Sequence, residues 1–181
     1  MALRGLRAFA AVVALALLLA GRAGSATIEG PAFSPDAGAE TLVLRVLDGA
    51  QHSIRLAAYV LTSPRVVRSL LAAHRRGVDV AVVADYRVNV LEDRSGRSRA
   101  ALRLLVGAGI PTHLVSRYVV HHDKYIVADG DTVATGSYNY TSAAAHQNSE
   151  NVLVIRDDAA VARAYLAHWR SRFDEGFDFR D

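Results

Sequence analysis

Val119, Val120, Tyr125, Ile126 and Val127 are β-forming residues that run up to the turn signal Asp129-Gly130-Asp131, and Thr132 to Thr135 take up the same character beyond it. This pattern predicts strand, tight turn, strand. Residues two apart in a strand share a face, so His122 and Lys124 are expected on one side, with His121 and Asp123 on the other. The second strand runs into Gly136, and Ser137 and Asn139 follow at the same spacing. Folding the hairpin gathers an imidazole, an ammonium, a hydroxyl and an amide on one surface. Gly136, having no side chain, lets a ligand or a neighbouring backbone come close. Lys124 is the only lysine, against 20 arginines. A position that keeps lysine needs a compact point charge rather than a planar fork.

The remaining chain supplies a frame for this hairpin. A helix is expected from Glu40, where Leu42, Val46 and Ala50 align, then a strand over His52–Leu61. A second helix starts at Pro64 with Ser63 as its cap and stops at Gly77. Val78–Ala84 reads as a strand, Ala100–Ala108 as a helix, Ile110–Val115 as a strand and Glu150–Ile155 as another. Tyr140–His146 reads as a short connector, and Asp157–Phe173 as a closing helix with Val161, Tyr165, Leu166 and Trp169 on its core face. Helix and strand in alternation is the rhythm of an α/β layer. The expected fold is a single α/β domain, a mixed β-sheet flanked by helices on both faces, over residues 40–181. Thr27–Ala39, with Gly30, Pro31, Pro35 and Gly38, reads as an irregular lead-in. Asp85–Arg99, with Arg87, Arg94, Arg97 and Arg99, reads either as a solvated loop or as a mobile basic flap that contacts phosphates.

Residues 1–26 read as a signal peptide. Arg4 and Arg7 precede the apolar stretch Ala8–Ala20, and Gly24, Ser25 and Ala26 are small residues suited to cleavage. An uncleaved anchor is the alternative. Export to the periplasm or medium follows, and the absence of cysteine leaves the core, and a partner subunit, to hold the fold. The formal net charge of +3 carries little weight, because Arg4, Arg7 and Arg22 lie in this segment. Without them the basic residues number 18, matched by 18 acids, so attraction to phosphate must come from a local patch.

His122, Lys124, Asp129, Gly136, Ser137 and Asn139 together spell HxK, four residues, Asp, six residues, GSxN. This signature resembles that of the phospholipase D superfamily. The single motif, the Ser149–Asn151 SEN segment and the closing HWRSRF resemble its small secreted bacterial endonucleases, and the resemblance runs from about Glu40 to the C-terminus. An ordinary imidazole is largely neutral near pH 7, so His122 can attack phosphorus. Lys124, Asn139 and Ser137 can donate to the nonbridging oxygens. No metal-ligand spacing is present, and neither a metal nor a cofactor is called for.

One imidazole cannot both attack and protonate the leaving group. The resemblance implies a homodimer whose composite site uses one His122 as nucleophile and its twin as general acid. It also implies that Glu150 accepts a hydrogen bond from the catalytic imidazole. Asp129, at the start of the turn, is expected to support the site structurally or from behind the reacting residues. His52, His74, His113, His146 and His168 read as ordinary surface or core residues. Three functions remain: an endonuclease acting on DNA or RNA, a phospholipase D-type lipid hydrolase, and a non-enzymatic polyanion-binding module. A lipid enzyme should show an exposed apolar lip or anchor, and the mature sequence offers no obvious one unless the leader is retained.

Overall fold

The computed structural model describes residues 25–180. The segment read as a leader therefore lies outside the described residues, apart from Ser25 and Ala26. Eight strands form one sheet in the order β1-β7-β6-β5-β2-β3-β4-β8. Strands β2 (Ser53–Ala58), β3 (Asp79–Asp85) and β4 (Thr112–Val115) are parallel. Their crossovers are helices α2 (Pro64–Arg75) and α3 (Arg97–Gly107), as parallel pairing requires. On the other side of β2, strands β5 (Lys124–Ala128), β6 (Thr132–Gly136) and β7 (Glu150–Arg156) form an antiparallel meander.

Helices cover both faces, as expected. Helix α1 (Ala39–Gly49) buries Leu42, Val43, Val46 and Leu47. It shares the larger core with Leu70 of α2, Leu102 and Leu105 of α3, and Ala144 and Ala145 of α4 (Ser142–His146). Among the described residues, helix α5 (Ala159–Glu175) covers the opposite face, where Trp169 is buried and donates its indole N–H to Leu56 O at 3.0 Å. Val161, Tyr165 and Leu166 pack around it, half-buried. Ser63 caps α2 by accepting from Val66 N, with Pro64 in the first turn, and Gly77 beyond its end has φ 90°, a conformation that favours glycine.

Three segments differ from the sequence reading. The lead-in is a strand, β1 (Thr27–Ser34), paired antiparallel with β7. Its one proline, Pro31, is tolerated because this is the edge strand, and a register shift between Glu29 and Ala32 absorbs Gly30-Pro31. The Asp85–Arg99 segment is neither a plain loop nor a free flap: Arg87–Leu91 form a π-helical turn with Asn89 fully buried, and α3 begins at Arg97. Arg87 pairs with Glu92 at 2.6 Å, and Arg99 donates to Val90 O at 2.5 Å, so two of its four arginines tie the segment to itself. A final two-residue strand, β8 (Phe177–Asp178), which the sequence reading lacks, adds to β4.

The topology fixes where chemistry can occur. Because β5 runs antiparallel to β2, Lys124 lies opposite Ala58, at the carboxyl end of β2. The carboxyl end of β6 and the start of β7 meet at the same edge through Gly136 and Val152. Open α/β sheets bind ligands at the carboxyl ends of their parallel strands.

Candidate active site

Lys124 opens β5 and is buried, 9% exposed, while its neighbour His122 is exposed. The strand begins only at Lys124, so strand alternation alone does not align the two side chains. Tyr59, just past β2, does. Its ring centroid lies 4.5 Å from that of His122, and the Lys124 ammonium sits 4.7 Å from the same ring. An ammonium over an aromatic face is attracted by the ring quadrupole. Lys124 Nζ also donates to His122 O at 2.8 Å. Burial lowers the lysine pKa, opposed by the charges of Asp123 and Glu150, so Lys124 gives up its proton at a lower pH than an exposed lysine does.

A buried clamp holds these groups. Asn89, fully buried, accepts from Leu61 N at 3.1 Å and donates to Tyr59 O at 2.6 Å and Asp85 O at 2.8 Å. The Asp85 carboxylate, 2% exposed, accepts from Val88 N at 2.8 Å and His121 N at 2.7 Å. Asp85 and Asn89 thus fasten the loop that carries Tyr59 to the segment that delivers His122. Sequence reasoning missed Tyr59, Asp85 and Asn89. Their signal was an aspartate and an asparagine four residues apart just after an apolar strand, where one turn of π-helix places both inward; such turns recur at functional sites.

His121 turns away from His122, as expected. It is buried, with Nδ1 3.3 Å from Asp123 Oδ2. Burial pushes its pKa down against the pull of Asp123 and Asp85. Gly136 is small for a backbone reason: a Cβ there would stand 2.1 Å from Asn151 O.

The other expected site residues are placed differently. Ser137 donates its hydroxyl proton to Glu150 Oε2 at 2.6 Å and accepts from Asn151 N at 3.1 Å. The hydroxyl is therefore engaged within the fold, not held ready as a donor to substrate. Glu150 is occupied by Ser137 and by Asn148, whose side chain donates to Oε1 at 3.1 Å. The Glu150 carboxylate thus orders the Ser137–Asn151 segment, and among the described residues no hydrogen bond joins it to His122. Asn139 lies beside the Tyr59 loop, because Tyr140 N donates to Val60 O at 3.2 Å. Its side-chain Oδ1 is buried without a partner among the described residues. Asp129 sits at the far end of β5, five residues from Lys124, roughly 17 Å along an extended strand. There it accepts from Gln51 N, His52 N and Ser53 N at 2.9, 2.7 and 2.9 Å. Its role is to lock the turn to the start of β2.

His122, Asp123, Lys124, Tyr125, Thr135 and Gly136 form one wall of an open cleft of about 440 Å³, and Ala164, Tyr165 and His168 of α5 form the other. Residues 43–174 match the family model described as the PLD-like domain of cardiolipin synthase. The chain belongs to the phospholipase D superfamily. Nuc from Salmonella typhimurium, a phospholipase D family member, superposes with a TM-score of 0.82 at 40% identity, covering 87% of this chain and 100% of that one. NucT from Helicobacter pylori shares the fold at 18% identity, with a TM-score of 0.70 and coverage of 86% and 99%. The protein named phospholipase D in Rickettsia conorii is 33% identical over 142 residues, covering 77% of this chain and 66% of its own length. A mitochondrial cardiolipin hydrolase of Xenopus laevis is 35% identical over 141 residues, covering 77% and 63%. This chain thus spans about two thirds or less of these two relatives. His122 and Lys124, the pair that the HxK spacing specifies, lie together in the lining of this cleft.

Proposed function

We propose that the protein is a secreted, metal-independent endonuclease that cleaves DNA or RNA through a phosphohistidine on His122, within a homodimer. The observation that carries the substrate class is the shape of the cleft. It is open to solvent, and its walls carry polar groups from His122, Asp123, Lys124, Thr135 and His168. The space between Lys124 and the core, lined by Val43, Ala134, Tyr138 and Tyr140, measures about 10 Å³. An acyl chain finds no entry there, whereas a strand of nucleic acid can lie along the cleft.

The reaction follows from the groups present. The His122 imidazole attacks phosphorus, and the P–O bond to the leaving group breaks. The departing oxygen takes a proton from His122 of the second copy. Lys124 stabilises the charge that develops on the nonbridging oxygens, and the Asn139 amide supplies a neutral donor. Water then gives its proton to the second imidazole and displaces the first from phosphorus. Each ring ends as it began.

One observation favours a lipid substrate instead. Tyr118, Val119 and Val120, just before the catalytic segment, are 37%, 83% and 42% exposed. The sequence reading lacked this apolar ridge. In the proposed homodimer the second copy covers this ridge. With the ridge buried in a dimer, Val119→Glu is expected to yield monomers on sedimentation and to lose turnover together with association. A monomeric variant of full activity would defeat the composite site.

The substrate assay uses plasmid DNA, RNA and phosphatidylcholine vesicles in EDTA. Cleavage of nucleic acid and not of lipid is expected. Lipid cleavage alone would reverse the assignment, and binding without cleavage of any substrate would favour the polyanion-binding module.

A further inference from the structure

We propose that His168, with Arg172 one helical turn beyond it, forms a subsite for the phosphate that flanks the scissile one. The enzyme would then act on chains of phosphodiesters in preference to isolated ones. This rests on the nucleic-acid reading above and extends it.

His168 reads in sequence as an ordinary helical residue, but the fold places it in the wall of the cleft that holds His122 and Lys124. Its side chain is 40% exposed. Its Nδ1 lies 2.9 Å from the Tyr125 hydroxyl and 3.9 Å from Asp123 Oδ2. Asp123 and Tyr125 bracket Lys124 in the chain, so one edge of the imidazole is moored to the same stretch that carries the catalytic pair. Burial raises the Tyr125 pKa well above the usual tyrosine range, and the phenol therefore keeps a proton to offer to Nδ1. With the phenol as donor to Nδ1, the imidazole carries its N–H at Nε2. A moored imidazole presenting an N–H into an open polar cleft suits a phosphate oxygen.

The mechanism leaves this group unused: His122 attacks, Lys124 balances charge, and neither step involves α5. Arg172 follows four residues later on the same face of α5, about 6 Å further along the axis. This is within two charge steps of a nucleic-acid strand, at about 3.4 Å each. The Arg172 guanidinium lies 4.5 Å over the Tyr118 ring and 3.2 Å from Glu175 Oε2, and Arg117 lies 4.0 Å from the same carboxylate. Two guanidinium groups share one carboxylate at this end of α5. A substrate with a single phosphate, engaged at His122 and Lys124, has nothing to place there.

The test compares a short single-stranded oligonucleotide with bis(p-nitrophenyl) phosphate, which has one phosphorus and no flanking phosphate, on the dimeric protein at fixed low salt. His168→Ala is expected to raise KM for the oligonucleotide about tenfold, the effect of losing one charge-assisted hydrogen bond, and to leave hydrolysis of the small diester within about twofold. Arg172→Gln should shift KM in the same sense, also sparing the small diester. Unchanged KM for the oligonucleotide in His168→Ala would overturn the subsite alone. Equal losses on both substrates would overturn it too, by assigning His168 to folding or to the reaction itself. Wild-type protein that hydrolyses the small diester but leaves the oligonucleotide intact would overturn the nucleic-acid reading, and the subsite with it.

Discussion

His122→Ala is expected to lower phosphodiester hydrolysis by at least about 10⁴-fold, because it removes the nucleophile from one half of the composite site and the proton donor from the other, two functions that act as a unit. The side chain is exposed and contacts Tyr59 without anchoring the fold, so the unfolding midpoint should stay close to that of the wild type. Lys124→Met is expected to lose less, about 10²- to 10³-fold, the usual effect of removing one group that stabilises transition-state charge. Mixing His122→Ala and Lys124→Met chains sharpens the comparison. The heterodimer keeps one His122 and one Lys124 but lacks the second imidazole that protonates the leaving group, so its rate is expected to fall as far as that of His122→Ala. Kinetics on purified dimers, with denaturation curves for each variant, check these expectations.

Asp129→Ala should do the opposite, costing stability and sparing chemistry. The carboxylate accepts three backbone N–H bonds from Gln51, His52 and Ser53. Bonds to a charged acceptor contribute about 1.5–3 kcal/mol each but do not add fully, so a loss of about 3 kcal/mol is expected. For a chain of this size that corresponds to a fall in Tm of roughly 6–12 °C. Asp129 also holds φ 54°, which asparagine tolerates better than alanine, so Asp129→Asn should be milder. Turnover per folded molecule should remain near that of the wild type. Burial pushes the Asp129 carboxyl up, but the three N–H donors outweigh it and hold the group below the ordinary aspartate value of 3.8. Its folded pKa is thus depressed. The contribution is complete above the unfolded value and disappears as pH falls from there through the lower folded value. The stability gap between wild type and Asp129→Ala should therefore narrow only in strong acid.

The frame of the fold was legible because its signals are local. Ser63 before Pro64, Gly77 after Arg76 and the turn at Asp129-Gly130 each dictate an element boundary through backbone chemistry. Strand β1 was not legible, since Gly30-Pro31 interrupts it and Pro35 follows it, and only pairing with β7 makes it a strand. The π-helical turn escaped for the same reason: Arg87 and Arg94 suggest solvent, while the decisive residue is Asn89, two of whose three partners, Tyr59 and Leu61, lie about 30 residues away. At the site, the spacing named His122 and Lys124 correctly as neighbours but gave the wrong cause, because strand alternation was invoked where Tyr59 aligns them. Ser137 and Glu150 were assigned separate tasks on spacing and resemblance, yet they bond to each other. A one-dimensional motif records which residues are required, not which of them face one another. His168 lies outside the motif altogether, and only the packing of α5 against β5 brings it to the cleft.

The covalent step on His122 is the claim on which the rest depends, and it can be read directly. Wild-type dimer should be mixed with end-labelled DNA, quenched in alkali during turnover, and digested to map any label that acid removes. The account predicts label on the peptide containing His122, in one of the two copies of each dimer, and none in His122→Ala. Steady turnover by the wild type with no label on that peptide would contradict it.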